Sequence, residues 1–120
     1  MLQGPTVTLV HDGTALEKRR RVKWSGTALS YCSATEDHIG HTVDPVLTGD
    51  TRVTVELAGS GKKRMTAAGA FAVGAKVYGA ANGKVDDAVT TKLVGQALEA
   101  ATADGEQVEV IELAETGIPS

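Results

Sequence analysis

The sequence predicts an all-β fold: a small β-sandwich or flattened barrel built from two similar strand–turn–strand halves, with an extended N-terminal arm. Three observations predict it. Glycine makes up 14 of the 120 residues, against about 7% in ordinary domains. Valine and alanine supply most of the apolar content, and the aromatic residues are only Trp24, Tyr31, Phe71 and Tyr78. Short strands joined by tight turns suit that composition; a helical bundle would need more Leu, Lys and Glu. The second observation is clean period-2 alternation in RVTVEL and QVEVIEL. The third is an internal repeat: IGHTVDPVLTGDTRVTVEL (39–57) and VGQALEAATADGEQVEVIE (94–112) follow the same pattern.

In chain order, residues 1–13 read as an arm, opening with Gly4-Pro5 and lacking a partner segment. The single β domain then runs over 14–117, with 118–120 as a tail; a chain of this length is expected to hold one core. In RRRVKWSG (19–26), Val22 and Trp24 alternate with charged residues as in a half-buried strand. In RVTVEL, Val53, Val55 and Leu57 are expected to face in, and Arg52, Thr54 and Glu56 out. AKVYGAANGKV is a hairpin bending at Asn82-Gly83, two residues that tolerate positive φ. KLVGQALEAATADG has the Ala and Glu content of a helix. Its counterpart in the first copy carries Pro45, which would break a helix interior, so both copies read as strand–loop–strand. Val53, Val55, Val108 and Val110 are the predicted core.

The two copies align at an offset of 55 residues: Ile39 on Val94, Gly40 on Gly95, Val53 on Val108, Val55 on Val110. Upstream, RRRVKWSG (19–26) matches KKRMTAAG (62–69) without a gap, and A-x-x-Y follows in each copy at Ala28–Tyr31 and Ala75–Tyr78. The pseudo-repeats are therefore read as about 19–57 and 62–112, two similar layers packed face to face.

Net charge is −3, but it is segregated. Lys18, Arg19, Arg20, Arg21 and Lys23 form one basic cluster, Lys62, Lys63 and Arg64 another, and from Glu99 onward there are six acids and no base. Opposite poles of neighbouring subunits are expected to meet, because complementary patches set register and partner. Cys32 is the sole cysteine, which fits a reducing compartment. The chain opens without a secretory pattern, and no apolar window is long enough to span a membrane.

Catalytic, cofactor and metal chemistry is not expected. Cys32, His38, His41 and Asp44 fall within thirteen residues, but His38 and His41 are three apart, and on a strand residues three apart face opposite ways. GSGKK (59–63) lacks the first glycine and the Ser or Thr of a phosphate loop. Asp86-Asp87 and Glu36-Asp37 are neighbours that a strand would point apart. Trp24 is expected to pack across the core or against a neighbour.

AGAFAVGAKVYGAANGKV followed by KLVGQALEAATADGEQVEVIEL resembles the phage head-decoration, or capsid cement, family. The matches are Ala70, Ala72, Gly74, Val77, Tyr78, Gly83, Lys84 and Val85, then Gly95, Ala97, Glu99, Ala100, Ala101, Gly105, Val108 and Val110, with an earlier unit at Gly40, Val43, Asp44 and Gly49. Some members are labelled RecA/RadA-like recombinases, but this chain has neither a phosphate loop nor the length for an ATPase core. The resemblance implies a non-enzymatic decoration protein on the outer surface of a tailed-phage head, assembled in the host cytoplasm. Its implied partners are the major capsid protein and further copies of itself, as trimer or dimer; no cofactor, small-molecule substrate, membrane or specific nucleic acid is implied. Leu2, Pro5, Val7, Lys18, Arg19, Arg20, Arg21, Lys23 and Trp24 are the expected capsid or subunit contacts. The alternative is a small cytosolic nucleic-acid-binding module using the basic clusters.

Overall fold

The computed structural model describes residues 6–59, 61–90 and 92–112. They form ten strands: β1 Thr6–Val10, β2 Arg21–Trp24, β3 Leu29–Tyr31, β4 Gly40–Thr42, β5 Arg52–Leu57, β6 Gly61–Thr66, β7 Lys76–Gly79, β8 Val85–Asp86, β9 Leu93–Ala97 and β10 Gln107–Glu112. These make two five-stranded antiparallel sheets, in the orders β1-β5-β4-β2-β3 and β6-β10-β9-β7-β8. The all-β reading and the strand–loop–strand reading of 94–112 both hold. So does the hairpin: β7 pairs with β8, and Asn82 and Gly83 take φ of 60° and 73° at the bend.

The sheet orders are the same motif twice, and the register shows how the copies correspond. Gly40 pairs with Leu57 as Gly95 pairs with Glu112, and Val22 with Gly40 as Val77 with Gly95, each shifted by 55 residues (95 − 40, 77 − 22). The isolated bridges Leu16–Val46 and Phe71–Ala101 obey the same shift (71 − 16). This corrects the upstream alignment. Residues 62–66 lie in β6, the counterpart of β1, while β2 answers to β7. The basic triplets that suggested otherwise occupy different strands and match only in composition. The arm is corrected too: residues 6–10 are strand β1, in register with β5 from Thr6–Glu56 to Val10–Arg52. Residues 1–5, with Leu2 and Pro5, and the tail lie outside the described residues.

The two sheets pack against each other, yet each has its own apolar core. Leu16, Val22, Leu29, Val46, Val53 and Val55 cluster in the first half; Met65, Phe71, Val77, Val85, Val94, Val108 and Val110, with small alanines, cluster in the second. Each sheet rolls far enough to enclose its inner face. In the second half Ala67 bridges to Val85 and closes the roll. At the matching place in the first half, the His11 ring joins the end of β1 to the start of β3 by accepting from the Leu29 amide at 3.0 Å through Nδ1 and bonding the Thr14 carbonyl at 2.7 Å through Nε2. A single shared core is therefore replaced by two.

The four valines expected in the core are all buried. Truncating Val55 or Val110 to alanine is expected to cost about 2 kcal/mol each, two methyl groups plus the cavity. Because the clusters share no residue, the double variant should lose the sum within about 0.5 kcal/mol. Chemical denaturation checks this; a clearly non-additive loss would mean that the cores communicate.

Candidate functional site: the seam between the halves

Where the halves meet, the contact is polar. Arg21, His41 and Glu56 stand side by side across β2, β4 and β5. They lie beside, not among, the inward valines, and all three are buried. Glu56 was expected to face solvent; it points away from the core of its own sheet, but the seam covers that face. The Arg19 guanidinium lies 3.9 Å from its carboxylate.

Arg21 is fully buried. It donates from Nη2 to the carbonyls of Ser33 (3.0 Å) and Ala80 (3.1 Å), from Nη1 to Glu36 (3.3 Å) and from Nε to Lys84 (3.3 Å). Two of these carbonyls belong to each half. A guanidinium has five donors in a fixed fork and can serve such a ring of acceptors. Burial lowers its pKa from the usual range, with nearby Cys32, Glu112 and Glu36 opposing. Arg20 is buried as well: it reaches the Asn82 carbonyl of the hairpin tip (3.0 Å) and Glu17 (2.9 Å) and lies over the Tyr31 ring. Backbone bonds complete the seam, from the Thr66 amide to the Arg19 carbonyl (3.1 Å) and from Gly83 to Cys32 (2.8 Å). Lys92 pairs with Asp37 across it at 2.8 Å.

A second polar group lies where β10 ends. His38 Nε2 is 2.5 Å from Glu112 Oε2, and Lys63 Nζ is 4.0 Å from Glu112 Oε1, which also accepts from the Gly59 amide at 3.2 Å. The His38 and His41 rings meet edge to face at 4.9 Å. Burial, then the neighbouring His38, Arg21, Lys63 and Arg19, hold His41 well below the usual histidine range. The spacing argument against His38 and His41 meeting assumed one strand. Only residues 40–42 are strand, and His38 precedes them in a loop, so the two rings converge.

The expected basic contact patch is thus reduced by two residues. Arg20 and Arg21 are consumed inside the chain, because the seam needs cationic donors for its carbonyls. Lys23 pairs with Glu36. Lys62 and Arg64 lie 3.6 Å from Glu109 and Glu99, and Lys63 is buried. Lys18 stays exposed, Val7 is half-buried on β1, and Trp24 is 39% exposed.

The seam uses different faces of the two similar halves. The first half contributes residues 19–21 and 32–37; the second contributes Thr66, residues 80–84, Thr90 and Lys92. Shifted by 55, the face used by the first half corresponds on the second to about 74–76 and 87–90, where Thr90 itself donates to the Ala34 carbonyl across the seam at 3.4 Å. The face used by the second corresponds on the first to the end of β1 and the β2–β3 tip. These two counterpart faces carry large exposed apolar residues: Val73 (65%) and Val89 (79%) beside or within one, Val10 (40%) and Trp24 (39%) on the other. The Trp24 indole donates to the Val10 carbonyl at 3.1 Å, which joins those two into one patch.

The family model for phage cement protein matches residues 2–111. No curated protein matches the chain. Among solved structures, the head fiber gp8.5 N base of bacteriophage phi29 is similar in fold, with a TM-score of 0.74 and 17% sequence identity over 90% of this chain and 94% of that one.

Proposed function

The chain belongs to the phage cement protein family, and from that premise we propose that it decorates the outer surface of a tailed-phage head and stabilises the assembled shell. Its partners are the major capsid protein and other copies of itself. The observation that supports the second partner is the exposed apolar patch of Val10 and Trp24. An interface between different surfaces of two similar units is heterologous, and repeated between copies it gives a ring where the rotation closes and an open filament where it does not. The Val10–Trp24 patch of one copy packs against the exposed Val73 and Val89 of the next, an apolar contact unlike the polar seam within a chain. A ring such as a trimer is favoured over a two-fold dimer. Stabilisation then follows by mass action: a ligand present at a hundred times its Kd, and bound only to the assembled state, adds about 2.7 kcal/mol per site.

The test is heat release of the genome from particles with no decoration protein, with the natural chain, and with Trp24→Glu. Undecorated particles should form at normal size and release DNA at lower temperature. Trp24→Glu should cost the isolated chain no more than about 1 kcal/mol, as surface changes do, yet restore little protection. Identical release curves with and without the protein would rule out a cement role.

A further inference from the structure

We propose that His38, His41 and Glu112 form a binding site for a zinc-class divalent cation, which staples the two halves across the seam. One ligand atom from each residue can be chosen so that all three lie within 4.8 Å of one another. The side chains of His38 and Glu112 are 5% and 2% exposed, and His41 is fully buried. His38 Nδ1 and both nitrogens of His41 are buried with no hydrogen-bond partner. Such groups ordinarily cost about 1–3 kcal/mol apiece when unanswered. A neutral imidazole has one lone pair in the ring plane, and metal coordination is a direct way of using it in a dry site.

The donor set selects the ion. Two imidazoles and one carboxylate suit Zn²⁺, Co²⁺ or Ni²⁺; Mg²⁺ and Ca²⁺ prefer oxygen alone. Zinc bonds of about 2.0–2.2 Å put tetrahedral ligands roughly 3.3–3.5 Å apart. The wider separations, up to 4.8 Å, must close by up to about 1.5 Å. If His38 coordinates through Nε2 rather than Nδ1, its 2.5 Å contact with Glu112 must open by about 1 Å. Both movements are within reach of side-chain rotation. Lys63 at 4.0 Å from Glu112, with Arg19 and Arg21 near His41, opposes a further positive charge. The site is therefore weaker than a zinc centre with four anionic or neutral ligands and no cation beside it. Its three ligands come from the loop before β4, from β4 itself and from the end of β10, so the ion ties the first half to the second. This inference does not depend on the capsid role.

The experiment uses the whole chain, stripped with chelator and titrated with ZnCl₂ by calorimetry and thermal melting, with MgCl₂ in parallel. One zinc per chain and a melting temperature raised by several degrees are expected, with no response to magnesium. His41→Gln and Glu112→Gln should each weaken binding by at least about tenfold. In case a variant fails to fold, histidine ring NMR of the natural chain gives an independent reading: zinc should shift the His38 and His41 signals and leave His11 in place. No zinc binding by the folded chain, binding that survives both substitutions, or a shift of His11 alone would overturn the site.

Discussion

Replacing Arg21 by leucine is expected to lower the melting temperature by about 15 °C and to broaden the transition. The side chain is fully buried and feeds four carbonyls, two from each half. Leucine fills part of the volume but leaves Ser33, Glu36, Ala80 and Lys84 without their donor. A buried carbonyl left without its donor costs about 1–3 kcal/mol, so four of them, partly relieved by relaxation, lose about 4 kcal/mol, and for a chain of this size each kcal/mol is worth about 4 °C. The broadening has a separate cause. Each half has its own apolar cluster, so the seam is what makes them melt together. Once its central cation is gone, the halves should begin to unfold independently and two-state behaviour should fail. Lysine should restore at most half of the loss, because an ammonium on a flexible stem cannot reproduce the fork. A melting temperature within about 5 °C of the natural chain would show that the carbonyls find other donors and that Arg21 does not hold the seam.

The same residue shows what the sequence does and does not disclose. Alternation announced β5 and β10, and Asn82-Gly83 announced its hairpin, because those signals are local: a strand's inner face and a turn's dihedrals are written in consecutive residues. The offset of 55 was legible in the second part of each copy, where glycine and valine positions are dictated by pairing. It failed upstream because a basic triplet carries no register information; Arg19–Arg21 and Lys62–Arg64 match as text and occupy different strands. Charge runs are also poor guides to burial. RRR reads as a solvated patch until a second half covers it, and only the docking of two similar units on unlike faces makes Arg21 interior. The convergence of His38 with His41 was hidden for a related reason: it depends on where β4 begins, and a boundary shift of two residues turns opposed side chains into neighbours.

Alanine in place of Gly95 or Gly40 is expected to be comparably damaging, for a purely steric reason. A Cβ at Gly40 would lie 2.1 Å from the Glu56 carbonyl oxygen, and at Gly95 2.0 Å from that of Ile111. Neither residue has a positive φ, so alanine could adopt the backbone angles; it is the space that is missing. The obstacle is the paired strand itself, not a side chain that can swing away. The β4–β5 or β9–β10 ladder must therefore part locally, at a cost of about 4 kcal/mol, in the range of severe core lesions. Gly105 supplies the contrast. It has φ of 92° but open space around a built Cβ, so Gly105→Ala should cost only about 1–2 kcal/mol of left-handed strain. That the same crowding recurs at positions 55 apart explains why this glycine is common to both copies of the repeat. Gly95 also pairs with Glu112, so opening the ladder there displaces the carboxylate that meets His38 and Lys63. Gly95→Ala should thus loosen the seam as well as the sheet, and Gly40→Ala should disturb the strand that carries His41. Melting curves for the three alanine variants decide the matter: if Gly95→Ala and Gly40→Ala lose no more than Gly105→Ala, the strands have room to yield and close approach is not the reason for these glycines.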